Sequence, residues 1–303
     1  MSIFALLGAL EIGLIFGLVA LATLISFRIL NFPDLTVDGS FTTGGAVAAV
    51  AIVSGVDPYS ATLLAALTGA LAGLLTGWLN VRLGIMNLLA SILTMTGLYS
   101  INLRIMGVPN LSLLNAPTVF TTFQFDGVPD YWLRPAILVV IVVLVKLALD
   151  RFLLSQRGLA LRATGSNARM ARSQGISTSA YTLAGIALSN GLVALAGALF
   201  AQSQGGADIS MGFGTIVIGL AAVIVGETIF PSRRIFVVTL AVIAGAILYR
   251  CLVAVALVSD FIGLQAQDLS VVTAVLVGTA MVLPKVKQKI AARRRGKSVH
   301  AAG

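Results

Sequence analysis

"LRATGSNARMARSQGIST", residues 161–178, is the least hydrophobic stretch in the middle of the chain. It holds three arginines, Arg162, Arg169 and Arg172, and two glycines, Gly165 and Gly175. On either side lie runs rich in Leu, Val, Ile and Ala. Each run is long enough to cross a bilayer, which takes about 20 mostly apolar residues. A basic, glycine-punctuated segment between two such runs reads as a loop between membrane spans. Its positive charge then orients the spans around it.

The composition agrees. The chain has 303 residues, of which 58% are hydrophobic and only 10% charged, and its mean hydropathy is +1.02. A soluble domain carries roughly 25% charged residues. Too little polar surface exists here to cover a water-soluble globule, so the fold class is all-α, a polytopic membrane protein. The net charge of +9 is not a nucleic-acid signal, because no basic groove interleaved with aromatics accompanies it. A single histidine, His300, and a single cysteine, Cys251, exclude a His-based metal cage and an intrachain disulfide.

Nine stretches qualify as spans: 3–27, 41–53, 61–80, 85–105, 135–152, 181–201, 212–230, 235–258 and 269–284. They form a membrane domain over 1–284, followed by a basic tail over 285–303. With the tail in the cytoplasm, nine crossings put the N-terminus outside. Most of the 20 Lys and Arg then fall inside, among them Arg28, Arg82, Arg151, Arg157, Arg162, Arg169, Arg172, Arg233 and Arg234. The opposite orientation inverts that bias and is discarded.

The second stretch is too short to cross as a plain helix. It follows "NFPDLTVDGSFTTGG", residues 31–45, with a proline, Asp34, Thr36, Asp38, Ser40 and several glycines. Irregular backbone at membrane depth survives only where protein buries it or where it lines a wet cavity. The polar residues here are candidates for lining such a cavity; the alternative is a plain cytoplasmic loop. A second glycine-rich lead-in, "GGADISMGFGTIVIGLAAVIVGE" (205–227), feeds a span running the opposite way. Paired interruptions of this kind point to an inverted repeat with a path at its interface.

Charges and polar groups inside the spans add detail. Glu11 and Arg250 both fall about 12 Å from the outer ends of their spans, which suggests an intramembrane ion pair. Glu227 is expected to reach Arg233, Arg234 or water, and Lys146 to snorkel toward the inner face. The fourth span carries Thr94, Thr96, Tyr99, Ser100, Asn102 and Arg104. Asn87, Thr94 and Asn102 share a side of it. Such a side suits a substrate path, and it also suits helix packing.

In the central stretch, Ser166 or Asn167 can cap a short helix and Gly175 can end it in a left-handed conformation. Ala168 and Ala171 make a small-residue side and Arg169 and Arg172 a basic one. The helix is expected to seat its small side in a partner's groove; the alternative is a linker lying on the membrane surface.

The spacing Gly165, Asn167, Ala171, Arg172, Gly175, Ile176 resembles the coupling-helix signature of bacterial ABC importer permeases of the ribose and branched-chain amino acid group. "FRILNFPDLTVDGSFTTGG" and "ILTMTGLYSINLRIMG" are similar to its tryptophan/tyrosine-type subgroup. The resemblance implies a permease in the bacterial inner membrane, forming a pore with a second copy of itself. It implies two cytoplasmic ATPase subunits that dock on a coupling helix over about 165–176. An extracytoplasmic solute-binding protein would deliver a small organic solute, an amino acid first of all, with sugars and nucleosides open. ATP and Mg would be bound by the ATPase, and no cofactor by this chain. In agreement, no Gly-x-x-x-x-Gly-Lys-Ser/Thr motif is present, since "RRRGKS" has Ala291 where the first glycine belongs. The rival from another class is an ion-coupled secondary transporter using Glu11, Asp34 and Asp38.

Overall fold

The computed structural model describes residues 3–122, 129–232 and 234–258, together with Gly278. The expected ninth span and the basic tail lie outside the described residues, as does Arg233. Apolar runs become helices wherever they are long, and glycine or proline marks where they stop. Helix α1, Ile3–Thr23, continues through a π-helical turn, Leu24–Ile29. After an irregular link comes α2, Thr36–Val53. Helix α3, Pro58–Leu83, starts on the Asp57 carboxylate, which accepts from the Tyr59 and Ser60 N–H groups at 3.1 and 3.3 Å, and ends at Gly84. Helix α4, Asn87–Met106, leads into a three-residue strand β1, Asn110–Ser112. Next come α5, Asp130–Leu154, α6, Gln156–Ser166, and a short α7, Ala168–Ser173. The chain continues through α8, Thr178–Gln204, β2, Gly206–Asp208, α9, Thr215–Ile229, and α10, Ile235–Val258.

Among the described residues six helices are long and apolar enough to cross a membrane, and α5 is 25 residues long. The second span differs from its sequence reading. It begins at Thr36 rather than at 41 and has 18 residues, because Asp38 and Ser40 are accommodated inside the first turns. Helix α9 has 15 residues, a rise of about 22 Å, less than the ~30 Å hydrocarbon core.

Helix α8 is central and packs on α1, α2 and α3, while α4 covers α2 and α3. On its other side α1 carries α5, α9 and α10. Close approach explains the glycines of α3. A Cβ at Gly69 would meet Ala194 Cβ at 2.2 Å, and one at Gly73 would meet the Ile186 carbonyl at 2.5 Å. Small residues at four-residue spacing let helix backbones approach closely, as they do in membranes. Phe16, Phe41 and Phe200 join α1, α2 and α8, with ring centroids of Phe41 and Phe200 5.5 Å apart. Leu63, Leu67, Leu71, Val140 and Leu144 leave apolar sides uncovered, as a hydrocarbon solvent permits.

The two ends of the bundle are distinct. At one, β1 pairs antiparallel with β2, Asn110 opposite Asp208, joining the C-terminal ends of α4 and α8. At the other, Arg28 Nε donates to Glu227 Oε1 at 2.8 Å. Glu227 therefore pairs with Arg28 rather than Arg234, since α1 and α9 end side by side. Lys146 does not snorkel either. It is buried in an ion pair with Asp150, one turn along α5, and lies 3.3 Å from the Phe236 ring centroid. The Thr239 hydroxyl on α10 donates to the other Asp150 oxygen at 2.7 Å.

Candidate functional site

The site grows from the link between α1 and α2. Asn31 stands at φ +53°, a left-handed conformation that asparagine tolerates better than most residues. Beyond it, Phe32 and Asp34 are buried. Asp34 accepts from the Thr36 N–H at 2.9 Å and from Asn190 Nδ2 at 2.6 Å. Asn190 Oδ1 accepts from the Ser40 hydroxyl at 2.7 Å, and the Thr36 and Thr76 hydroxyls meet at 2.8 Å. These groups tie α2 to α3 and α8. The irregular backbone is thus sheltered by protein. Asp34, Thr36 and Ser40 belong to a buried hydrogen-bonded network between α2, α3 and α8.

Asp38, one turn further along α2, faces elsewhere. Its Oδ1 accepts from the Ile216 N–H at 2.8 Å and its Oδ2 from the Gly214 N–H at 3.1 Å. Asp38 therefore caps α9 across the fold, with a negative group at the positive end of the helix dipole. Gly212 allows the approach: a Cβ there would lie 2.1 Å from the Asp38 carbonyl oxygen. The two glycine-rich interruptions read in the sequence meet at this contact.

Beside it lies a cavity of about 250 Å³, lined by Asp38, Gly39, Thr42, Met95, Thr96, Tyr99, Asn102, Ile209 and Phe213. Asn102 is fully buried. Its Nδ2 donates to the Gly39 carbonyl at 3.4 Å, and its Oδ1 has no partner. Tyr99 and Phe213 are largely exposed. Of the residues read as path-lining, Asp38, Thr96, Tyr99 and Asn102 come together here. Thr94 is buried, with its hydroxyl returned to the Ala90 carbonyl of its own helix at 3.0 Å. Asn87 accepts from Asn80 Nδ2 at 2.6 Å across the α3–α4 turn. Sequence reasoning did not single out Gly39, Thr42, Met95, Ile209 and Phe213. Gly39 and Thr42 lie in the quoted 31–45 stretch, and Phe213 is set between Gly212 and Gly214, so these three carried a visible signal.

Glu11 and Arg250 are not an ion pair. Glu11 accepts from the Ser203 hydroxyl at 2.6 Å. The Arg250 guanidinium lies over the Phe16 ring, 4.4 Å from its centroid. Arg250 Cβ comes down 3.5 Å from where a Gly13 side chain would begin. The side chain then runs one turn along α1 toward Phe16, away from Glu11.

The central basic stretch divides between α6 and α7. Asn167, not Ser166, caps α7, its Oδ1 accepting from the Met170 N–H at 3.1 Å. Gly175, at φ +81°, closes it: Gly175 N–H donates to the Arg172 carbonyl and Ile176 N–H to that of Ala171, each at 3.0 Å. This is a Schellman closure, which favours glycine at the left-handed position. Ala171 is buried against its own chain, whereas Arg169, Met170 and Arg172 are exposed. Ala171 thus faces inward and Ala168 is half-buried, while Arg169 and Arg172 make the exposed face basic. Gly165 sits on the π-helical turn, where a Cβ would be 1.9 Å from the Ile29 carbonyl oxygen.

Long apolar helices, a 15-residue helix capped by a half-buried carboxylate, and an exposed basic helix at one end describe a multi-pass membrane protein. The family described as "Branched-chain amino acid transport system / permease component" matches residues 5–283, and the chain belongs to it. It is 36% identical to the tyrosine transport system permease protein of Clostridioides difficile (strain R20291), over 91% of this chain and 95% of that one. An uncharacterised protein of Rickettsia prowazekii (strain Madrid E) is 39% identical over 75% of this chain and 79% of its own length. The fold is also similar to two solved structures. PsaBC from Streptococcus pneumoniae in complex with Fab matches with a TM-score of 0.52 and 15% identity, over 92% of this chain and 91% of that one. A structure described as a metal-chelate type ABC transporter in an inward-facing conformation matches with a TM-score of 0.50 and 17% identity, over 94% and 86%.

Proposed function

We propose that this chain is the membrane subunit of a bacterial ABC importer for an aromatic amino acid. It works as a pair with a second copy of itself. Two cytoplasmic ATPase subunits drive it, and an extracytoplasmic solute-binding protein supplies the solute. The substrate class follows the similarity to the tyrosine permease, and import is our inference from the resemblance of the Gly165–Ile176 spacing to the coupling helices of importers.

The observation that carries the reading is a continuous mechanical chain. Helix α7 presents Arg169, Met170 and Arg172 outward. Gly165, just before it, rests on Ile29 and Leu30. That turn leads through Asn31 into α2, whose third residue, Asp38, caps α9 and borders the cavity. A pull on α6 and α7 therefore reaches the cavity through one link of π-helical and left-handed backbone. Such irregular turns are suited to hinging, and a conformational cycle needs an element with two arrangements. Arg28, Arg151, Arg162, Arg169 and Arg172 gather at the α7 end, which supports placing that end in the cytoplasm and the β1–β2 end outside.

The test is reconstitution. The chain, expressed with its neighbouring ATPase and binding protein and placed in proteoliposomes, is expected to take up radiolabelled L-tyrosine only with ATP inside. Uptake driven by a proton or sodium gradient without ATP would end the proposal.

A further inference from the structure

We propose that the cavity between α2, α4 and the start of α9 holds its ligand by a primary ammonium group, with an aromatic body lying toward Tyr99 and Phe213. The inference rests on the amino acid reading above and adds which end of such a molecule the permease grips.

The lining decides the polarity. Asn102 is buried, and its Oδ1 is an acceptor without a partner. Its amide orientation is set by the Gly39 carbonyl, which needs the Nδ2 side facing it. Asp38 spends one lone pair of each carboxylate oxygen on the α9 N–H groups, and a carboxylate offers about four such sites. The threonine hydroxyls that could donate are turned to backbone carbonyls, Thr42 to Asp38 at 3.3 Å and Thr96 to Ile92 and Leu93 at 3.0 Å. No lysine or arginine lines the cavity among the described residues. A ligand carboxylate would meet a like charge and no cation. A ligand ammonium would meet a carboxylate, with the unpaired amide oxygen of Asn102 buried in the same wall behind it.

The remaining lining suits an aromatic body. Met95 and Ile209 give apolar walls, Met95 an adaptable one, and the exposed rings of Tyr99 and Phe213 can stack on a ligand ring. The volume of about 250 Å³ falls just below the range of about 300–1,000 Å³ typical of drug-sized ligands, so it admits one molecule of amino acid size.

The experiment uses the full chain in lipid nanodiscs, without ATPase, and equilibrium binding of radiolabelled L-tyrosine. Phenethylamine is expected to displace it, and 3-phenylpropanoate at the same concentration is not. Thr96→Lys, at an exposed position that tolerates change, sets a cation in the lining; it should weaken phenethylamine binding about tenfold or more and favour the carboxylate. Asn102→Leu should weaken amine binding by a smaller factor, since it takes the negative end of an amide dipole out of the wall. Equal displacement by the two probes, unchanged amine binding in Thr96→Lys, or no saturable binding of any probe overturns the inference. ATP-driven uptake by the assembled complex without amine preference in the isolated chain ends this inference alone. Amine binding by a chain that supports no ATP-driven uptake ends the importer reading and leaves the cavity's chemistry standing.

Discussion

Two residues carry the least replaceable contacts. Gly165 has no room for a side chain, so Gly165→Val forces the π-helical turn and α6 apart. Overpacking of this kind costs about 1–3 kcal/mol, and the variant should melt earlier in detergent and lose ATP-driven uptake. Asp38→Ala strips α9 of its cap, a loss of about 0.5–2 kcal/mol. It also removes the only charge in the cavity lining among the described residues. Uptake should fall at least tenfold while membrane insertion, followed by a C-terminal fusion, persists. Glu11 and Arg250 make a contrasting case. They have separate partners, Ser203 and the Phe16 ring, so exchanging their identities should give no rescue: each single change and the double are expected to be additive within about 0.5 kcal/mol. Asp38, Tyr99 and Asn102, which line one cavity, could be singled out in the sequence because polar groups are rare in such helices. Asp34 and Asp38 look alike in sequence, and only their partners separate them: Thr36 and Asn190 for the first, the start of α9 for the second. The Glu11–Arg250 pair was inferred from matched depth, and depth says nothing about the direction in which a side chain leaves its helix.

At the scale of elements, α7 shows where periodicity stops informing. The cap at Asn167 and the left-handed Gly175 were legible, because both depend on local backbone chemistry. Which side of a two-turn helix faces its own chain depends on packing, and Ala171 faces inward. Charge reversal of the exposed face, Arg169→Glu with Arg172→Glu, should leave the melting temperature unchanged and abolish co-purification of the ATPase subunits. Gly175→Pro cannot adopt φ +81° and removes the N–H that closes α7, so it should lose the same association with some loss of stability. Helix α9 was read as a full span from residue 212, since its residues are uniformly apolar. The structure starts it at Thr215 under Asp38, a tertiary contact that no window of local sequence contains.

For the whole molecule, the grouping of the ends is open to a direct check. Asn110 lies at the ribbon end and Ser173 at the α7 end, and both are exposed. In a Cys251→Ser background, a membrane-impermeant maleimide added to intact spheroplasts should label Asn110→Cys and not Ser173→Cys; inverted vesicles should reverse the pattern. The membrane class and the apolar spans were readable from composition, because a chain with so few charges cannot be a soluble globule. The arrangement around α8 was not, since small-residue contacts such as Gly69 with Ala194 are specified by shape rather than by polarity. The Lys146–Asp150 pair has a bearing on biogenesis. Helix α5 is synthesised long before α10, and a lone lysine in its last third would resist partitioning into lipid. With the aspartate one turn away, the nascent segment can enter the translocon as a neutral dipole. The ring of Phe236 and the hydroxyl of Thr239 reach that dipole only later, so α5 can settle early and act as the template on which α10 is received.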